Sequence, residues 1–182
     1  MSAQDEVVRR LNFLARETLD WEAVYREELP RVYNFFRYRF GDDPLAEDLT
    51  SATFEKAWIG RNRYRCDRGA FSTWLFSIAR NLAIDAYRRQ RQIVSLGEVE
   101  SIDGNSPEIE DQMQKRQDFI KLERLMTQLP ERERELVALK YGAELTNREI
   151  ARLTGLSETN VGSILHRVVN KLGNLWEEVP DE

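Results

Sequence analysis

Apolar positions recur at helical spacing along most of the chain, and no strict alternation runs long enough to make a strand. Val24, Tyr25, Leu29, Val32, Phe35 and Phe36 form one broad stripe that predicts a helix starting near Trp21. Pro30 predicts a kink or break inside it, because proline removes a backbone donor and crowds the preceding turn. Gly41 stops it. Asp42-Asp43-Pro44 restarts the chain as a helix, with Asp43 as the cap and Pro44 in the first turn. This second helix runs to about Ile59 and ends at Gly60. Ala46, Leu49, Thr53, Phe54 and Ala57 share its core side, while Asp48, Ser51, Ala52 and Glu55 lie opposite. A basic loop, Arg61 to Gly69, leads to a third helix from Ala70 to about Arg91. Phe71, Trp74, Leu75, Ile78 and Leu82 make its inner stripe; Thr73, Ser77, Arg80, Ile84, Tyr87 and Arg91 occupy the other face.

The rhythm then lapses. Val94 to Pro107 contains Gly97 and the run Asp103-Gly104-Asn105-Ser106-Pro107, the composition of an acidic, flexible linker. Helical spacing returns from Glu108 to Leu129, breaks at Pro130 and resumes to Tyr141, and two short capped helices close the chain. The expectation is an all-α fold: two small helical domains, 1–92 and 118–182, joined by a flexible linker at 93–117.

The second domain carries the more recognisable local pattern. Thr146-Asn147-Arg148-Glu149 has the spacing of a capping box, in which a hydroxyl and a carboxylate exchange bonds across the first turn. A short helix follows, then a turn at Gly155, then a helix capped by Ser157: a helix-turn-helix. Stepping 100° per residue puts Val161, Leu165, Val168 and Leu172 together as core. Thr159, Ser163, His166 and Asn170 fall opposite, flanked by Asn160 and Arg167. Short hydrogen-bonding side chains suit base edges in a major groove. Arg167 and the backbone amides at Ser157 and Glu158 suit phosphate. A helical hairpin with no nucleic-acid role is the plainer alternative.

Charge sharpens the picture. The chain of 182 residues is net −5, but residues 1–92 carry +2, residues 93–117 carry −4 and residues 118–182 carry −3. Arg61 to Arg91 alone holds 8 basic residues against Asp67 and Asp85. A cationic stretch inside an acidic protein points to a polyanion site. Tyr64 and Tyr87 among the arginines favour unpaired nucleic acid, since aromatic rings stack on bases while guanidinium groups hold phosphates.

One cysteine, Cys66, excludes an internal disulfide framework and a multi-cysteine metal site, and one histidine, His166, excludes a His–His pair. The expected metal and cofactor complement is none. Glu47 and Asp48, with no histidine near them, read as a helix start and partner surface. The longest stretch without Asp, Glu, Lys or Arg, Gly69 to Ala79, is too short to span a bilayer, and residues 1–16 lack a secretory pattern. These features predict a cytoplasmic protein. No motif assembles metal-binding carboxylates or a nucleophile–base pair, so no enzyme activity is expected.

Three motifs, in order, resemble bacterial RNA polymerase sigma factors. Ala46-Glu47-Asp48-Leu49-Thr50 through Thr53-Phe54-Glu55-Lys56-Ala57-Trp58 resembles their polymerase-binding helix. Trp74-Leu75-Phe76-Ser77-Ile78-Ala79-Arg80-Asn81-Leu82-Ala83-Ile84-Asp85 resembles their promoter-melting helix. Leu129-Pro130-Glu131-Arg132-Glu133-Arg134-Glu135, with the helix-turn-helix, resembles their fourth conserved region. Short length and the missing third domain point to the extracytoplasmic-function branch.

The resemblance implies binding to core RNA polymerase, at the clamp and the flap, and to promoter DNA. It also leaves room for an inhibitory anti-sigma partner. Asp48, Ser51, Ala52 and Glu55 would face the clamp. Asn62, Tyr64 and Asp67 in the loop, with Arg80, Asn81, Ile84, Tyr87 and Arg88 on the helix, would capture and read the minus-ten element. Ser157, Thr159, Asn160, Ser163, His166 and Arg167 would meet the minus-thirty-five element. The acidic linker would thread towards the polymerase active-site cleft. One departure matters: Gly162 and Ile164 stand where the family commonly has basic residues, and Val168, Val169 and Asn170 replace a basic or small run. Minus-thirty-five binding by the isolated domain is therefore expected to be weak, because phosphate contacts supply much of duplex affinity. Gly162 also costs the helix about 1 kcal/mol relative to alanine. A homodimeric repressor using only the helix-turn-helix, which would bind duplex DNA unaided, is the competing reading.

Overall fold

The computed structural model describes residues 20–65, 67, 69–95 and 110–178, together with residues 6, 7 and 10. Seven α-helices account for nearly all of the described chain after residue 20, with no strand among these residues. Helix α1 spans Trp21–Phe40, α2 Asp43–Gly60, α3 Phe71–Ser95, α4 Glu110–Thr127, α5 Glu131–Val137, α6 Asn147–Thr154 and α7 Glu158–Glu178. A 3-10 turn, Arg61–Arg63, follows α2, and a π turn, Ala138–Gly142, continues α5.

Local chemistry explains the boundaries. Asp20 caps α1 by accepting from the amides of Glu22 at 3.0 Å and Ala23 at 3.2 Å. Gly41 ends it in the left-handed region, φ 64°, and donates its amide to the Arg37 carbonyl. Of the expected kink or break at Pro30, the break does not occur, and α1 runs on through it. Pro30 lies on the exposed side of α1, where water can serve the carbonyl that proline leaves unpaired. The cap of α2 also moves by one residue: Asp42, not Asp43, accepts from the Leu45 amide at 2.8 Å. Asp43 instead turns back to α1, taking the Arg37 guanidinium at 2.9 Å and the Tyr33 hydroxyl at 3.2 Å.

Helix α4 begins at Glu110, two residues past the expected return of helical spacing at Glu108, and most of the expected linker, 96–109, lies outside the described residues. The last helix is not short: α7 has 21 residues.

The two halves do not stand apart. A continuous buried cluster joins Val32, Phe35 and Phe36 of α1 and Leu75, Phe76 and Ala79 of α3 to Leu136, Leu139, Ile150 and Val161 of the second half. Helix α1 packs against α2 on one side and against the π turn on another. Arg31 Nε donates to the Ala143 carbonyl at 3.0 Å, and the Tyr38 ring meets Phe119 edge-on with centroids 5.6 Å apart. The π turn needs Gly142 at its end. A Cβ there would come within 2.7 Å of the Asn34 carbonyl oxygen and 2.9 Å of its carbon, so only glycine allows this backbone approach.

Candidate nucleic-acid interface

Helix α2 divides as its pattern predicts. Ala46, Leu49, Thr53, Phe54 and Ala57 are buried, together with Thr50. Thr50 and Thr53 satisfy their hydroxyls by donating to the carbonyls of Ala46 and Leu49, at 2.6 and 2.7 Å. Asp48, Ser51 and Glu55 are exposed on the opposite face, and Ala52 is half-buried beside them.

The loop after α2 is arranged around an aromatic cluster. Tyr64 is buried, its ring 5.3 Å from Phe71 and 5.6 Å from Trp74, and its hydroxyl reaches the Gly69 carbonyl at 3.4 Å. A tyrosine fixed this way supports the loop from beneath and offers no open ring for a base to stack on, which corrects the expectation of a stacking tyrosine. Asn62 is exposed. Asp67 is also exposed and holds Arg65 at 2.8 Å, so the loop keeps one of its arginines neutralised. Trp21 packs edge-on against both Trp58 and Phe71, and Arg61 lays its guanidinium over Trp58 at 4.3 Å.

The concave feature beside this cluster lies between the end of α2 and α3. It is a cleft of about 490 Å³, with Ile59 and Trp74 among its apolar walls and Lys56, Arg63, Asn81 and Asp85 among its polar ones. Of the residues expected to meet the minus-ten bases, Asn81 lines this cleft, whereas Asn62, Tyr64 and Asp67 of the loop do not. Lys56, Arg63 and Asp85 were not expected here, because nothing in the local spacing shows that the end of one helix closes over the middle of the next.

The remaining α3 positions fall into two groups. Arg88 is exposed; Ile84 and Tyr87 are half-buried. Arg80 is engaged: its Nε donates to Glu135 Oε1 at 2.9 Å. The same carboxylate oxygen lies 3.1 Å from Nη1 of Arg39, whose Nη2 donates to Glu131 at 2.9 Å. The Arg39 side chain is only 2% exposed, so this is a buried ionic junction between the two halves. Sequence reading missed Arg39, Glu131 and Glu135 as a set, since their pairing is non-local.

In the helix-turn-helix the expected contacts are present. Thr146 accepts from the Glu149 amide at 3.3 Å and donates its own amide to Glu149 Oε2 at 2.8 Å, completing the capping box. Burial raises the Glu149 pKa, but the two hydrogen bonds from Thr146 and the charges of Arg31 and Arg152 together outweigh it and hold the carboxyl below its ordinary value. Gly155 turns the chain at φ 76°, and Ser157 accepts from the Asn160 amide at 3.2 Å. Val161, Leu165 and Val168 are buried; Ser157, Thr159, Asn160, Ser163, His166 and Arg167 are exposed. Arg167 reaches Glu133 at 3.0 Å yet remains 68% exposed, so a phosphate could compete for it. Asn170 Nδ2 lies 3.4 Å from His166 Nδ1. Gly162 faces α6, where an added Cβ would sit 3.4 Å from the Asn147 amide nitrogen. That contact is with the end of a flexible side chain, so the helix crossing itself does not demand glycine at this position.

Among the described residues, no three His, Cys, Asp or Glu side chains converge as a metal site, and no helix is long and apolar enough to cross a membrane.

The Sigma-70 region 2 family matches residues 24–93 and the Sigma-70 region 4 family matches residues 119–172. ECF RNA polymerase sigma factor SigM of Bacillus subtilis is 32% identical over 88% of this chain and 98% of its own length. ECF RNA polymerase sigma factor BldN of Streptomyces coelicolor is 30% identical over 87% of this chain and 60% of its own. The fold is similar to the sigma factor RpoE solved with the anti-sigma factor NepR from Bartonella quintana, with TM-score 0.69 and 21% identity over 87% of this chain and 97% of that one. It is also similar to CnrH solved with the cytosolic domain of CnrY, with TM-score 0.64 and 20% identity over 95% and 99%. With both sigma regions in order and a relative matched along nearly its whole length, the chain belongs to the ECF RNA polymerase sigma factors.

Proposed function

We propose that this sigma factor, which binds core RNA polymerase and directs it to promoters, divides its work among three surfaces. Asp48, Ser51, Ala52 and Glu55 form the polymerase surface, an uncovered polar face on a helix whose other side is fixed in the core. The minus-ten surface is the loop and α3: Asn62, Asp67, Asn81 and Arg88 face nucleic acid, Arg80 joins them once freed, and Ile84 and Tyr87 flank them. Tyr64 shapes this surface from below. The cleft at Asn81 receives an unpaired base, its apolar wall replacing the stacking lost on extrusion and its polar groups reading the base edge. The minus-thirty-five surface is the start and outer face of α7: Ser157, Thr159, Asn160, Ser163, His166 and Arg167.

The observation that carries this reading is the cleft, an apolar hollow edged by Lys56, Arg63 and Asp85 on the helix that resembles the melting helix. Polymerase reconstituted with this chain tests it. Sequencing of run-off transcripts should reveal a shared minus-ten element, and permanganate should detect unpaired thymines there. Asn81→Ala should shift the preferred base at one position, and an unchanged preference would remove the cleft from base reading. The protein works in the cytoplasm, has no enzymatic activity of its own and requires no cofactor. One fold relative was solved with an anti-sigma factor, which supports an anti-sigma partner here as well.

A further inference from the structure

The outer face of α7 is short of positive charge. Between Glu158 and Asn170 the only arginine or lysine is Arg167, and Gly162 and Ile164 bring none. A phosphate contact on this face therefore depends on one side chain, and on where that side chain points. Arginine is long and loses rotamer freedom when it grips an anion. Arg167 has given up part of that freedom already, because its Nη2 donates to Glu133 Oε1 at 3.0 Å.

Glu133 is the firmer member of the pair. It belongs to the first turn of α5, where unpaired amides favour a negative charge, and its own amide donates to the Pro130 carbonyl at 2.9 Å. Helix α5 packs against α7, and the Glu133 side chain is 19% exposed against 68% for Arg167. The carboxylate is held from the core side while the guanidinium stays in solvent. A guanidinium presents several N–H donors in a rigid fork, so one bond to Glu133 leaves others for a phosphate. Arg80 differs: in its pair with Glu135 its side chain is only 25% exposed.

We propose that Glu133 is a positioning residue for the minus-thirty-five contact: it aims Arg167 so that the remaining N–H groups of the guanidinium close on a DNA phosphate. This rests on the reading of α7 as the minus-thirty-five surface. The carboxylate fixes in advance what DNA would otherwise have to fix on binding. A pair with one member so exposed adds little to folding stability, so it can be altered without unfolding the domain.

Holoenzyme reconstituted with the full chain, and a fluorescein-labelled promoter duplex chosen from its run-off transcripts, give the test. Binding is followed by anisotropy across a potassium chloride series, and thermal melts of the full chain check that each variant folds. Glu133→Ala should weaken binding about two- to tenfold, the range for ordering one long side chain. It should leave base preference unchanged, because a phosphate contact carries no sequence information. Glu133→Gln removes the charge but keeps an oxygen that accepts from Arg167, and it should bind like the parent. Arg167→Ala should weaken binding and lower the salt slope by about one. Adding Glu133→Ala to Arg167→Ala should change nothing more. Unchanged or tighter binding by Glu133→Ala overturns the proposal, since the carboxylate would then be idle or merely repel phosphate. A loss that persists on the Arg167→Ala background also overturns it, as the mark of a structural role. The wider reading of α7 is judged apart, by whether Asn160→Ala relaxes minus-thirty-five preference.

Discussion

Helices α3 and α7 are both amphipathic, both carry polar outer faces and both are expected to meet promoter DNA, yet they are held differently. On α7 the outer face from Thr159 to Asn170 is open to solvent, and only the core side is covered. On α3 both sides are used: Leu75 and Leu82 are buried, and so are Phe76, Ala79, Ala83 and Ala86, while Arg80 is taken by Glu135. An exposed polar face is ready for its ligand. A face whose arginine is already paired must first give up that pair.

The largest test of this contrast is a truncation at the shared core. Phe76 is fully buried and meets Phe35 edge-on at 6.0 Å, so Phe76→Ala should cost about 3–5 kcal/mol in urea unfolding of the full chain. Ser163→Ala on α7 should stay within about 0.5 kcal/mol. Equal costs would mean that α3 is not sandwiched.

Recognition gives the next effect. Asn160→Ala should lose about 1–3 kcal/mol of discrimination at one or two minus-thirty-five base pairs, measured by promoter competition with holoenzyme. Arg167→Ala should weaken every promoter alike and flatten the salt dependence.

Smaller again is the cap that sets the helix-turn-helix. Thr146→Ala should cost about 1 kcal/mol at neutral pH. Because the Glu149 pKa is depressed in the fold, its contribution is complete above the unfolded carboxyl value. That contribution disappears as pH falls through the lower folded value. The gap between parent and Glu149→Gln should therefore narrow in acid, and a constant gap would mean the carboxylate charge is not involved.

Asp48→Arg should have the least effect on the fold, within about 0.5 kcal/mol, while reducing core polymerase affinity. Unchanged affinity would move the polymerase surface elsewhere.

What the sequence made legible follows the range of the interactions. The buried and open sides of α2 and α7 were readable because burial repeats at 100° steps. The capping box was readable because its partners are three residues apart. The helix was not broken at Pro30 because it tolerates proline where the orphaned carbonyl faces water. Asp43 misled because a carboxylate beside a helix start can cap it or pair with a cation, and Arg37 on α1 decided the matter. The Arg39–Glu135–Arg80 junction joins residues 39, 80 and 135, which no local period connects. Tyr64 misled because its enclosure by Phe71 and Trp74 depends on how the loop folds back onto α3.

The aromatic cluster around the cleft also makes the protein its own optical gauge. Of its 4 tryptophans, Trp21, Trp58 and Trp74 belong to the first domain, and Trp74 forms part of the cleft wall. Trp176 lies far along the chain under the Lys121 ammonium, 4.7 Å from its ring. A base entering the cleft should dim the Trp74 emission and leave Trp176 unaltered. Strand capture can thus be timed in stopped flow without attaching a dye.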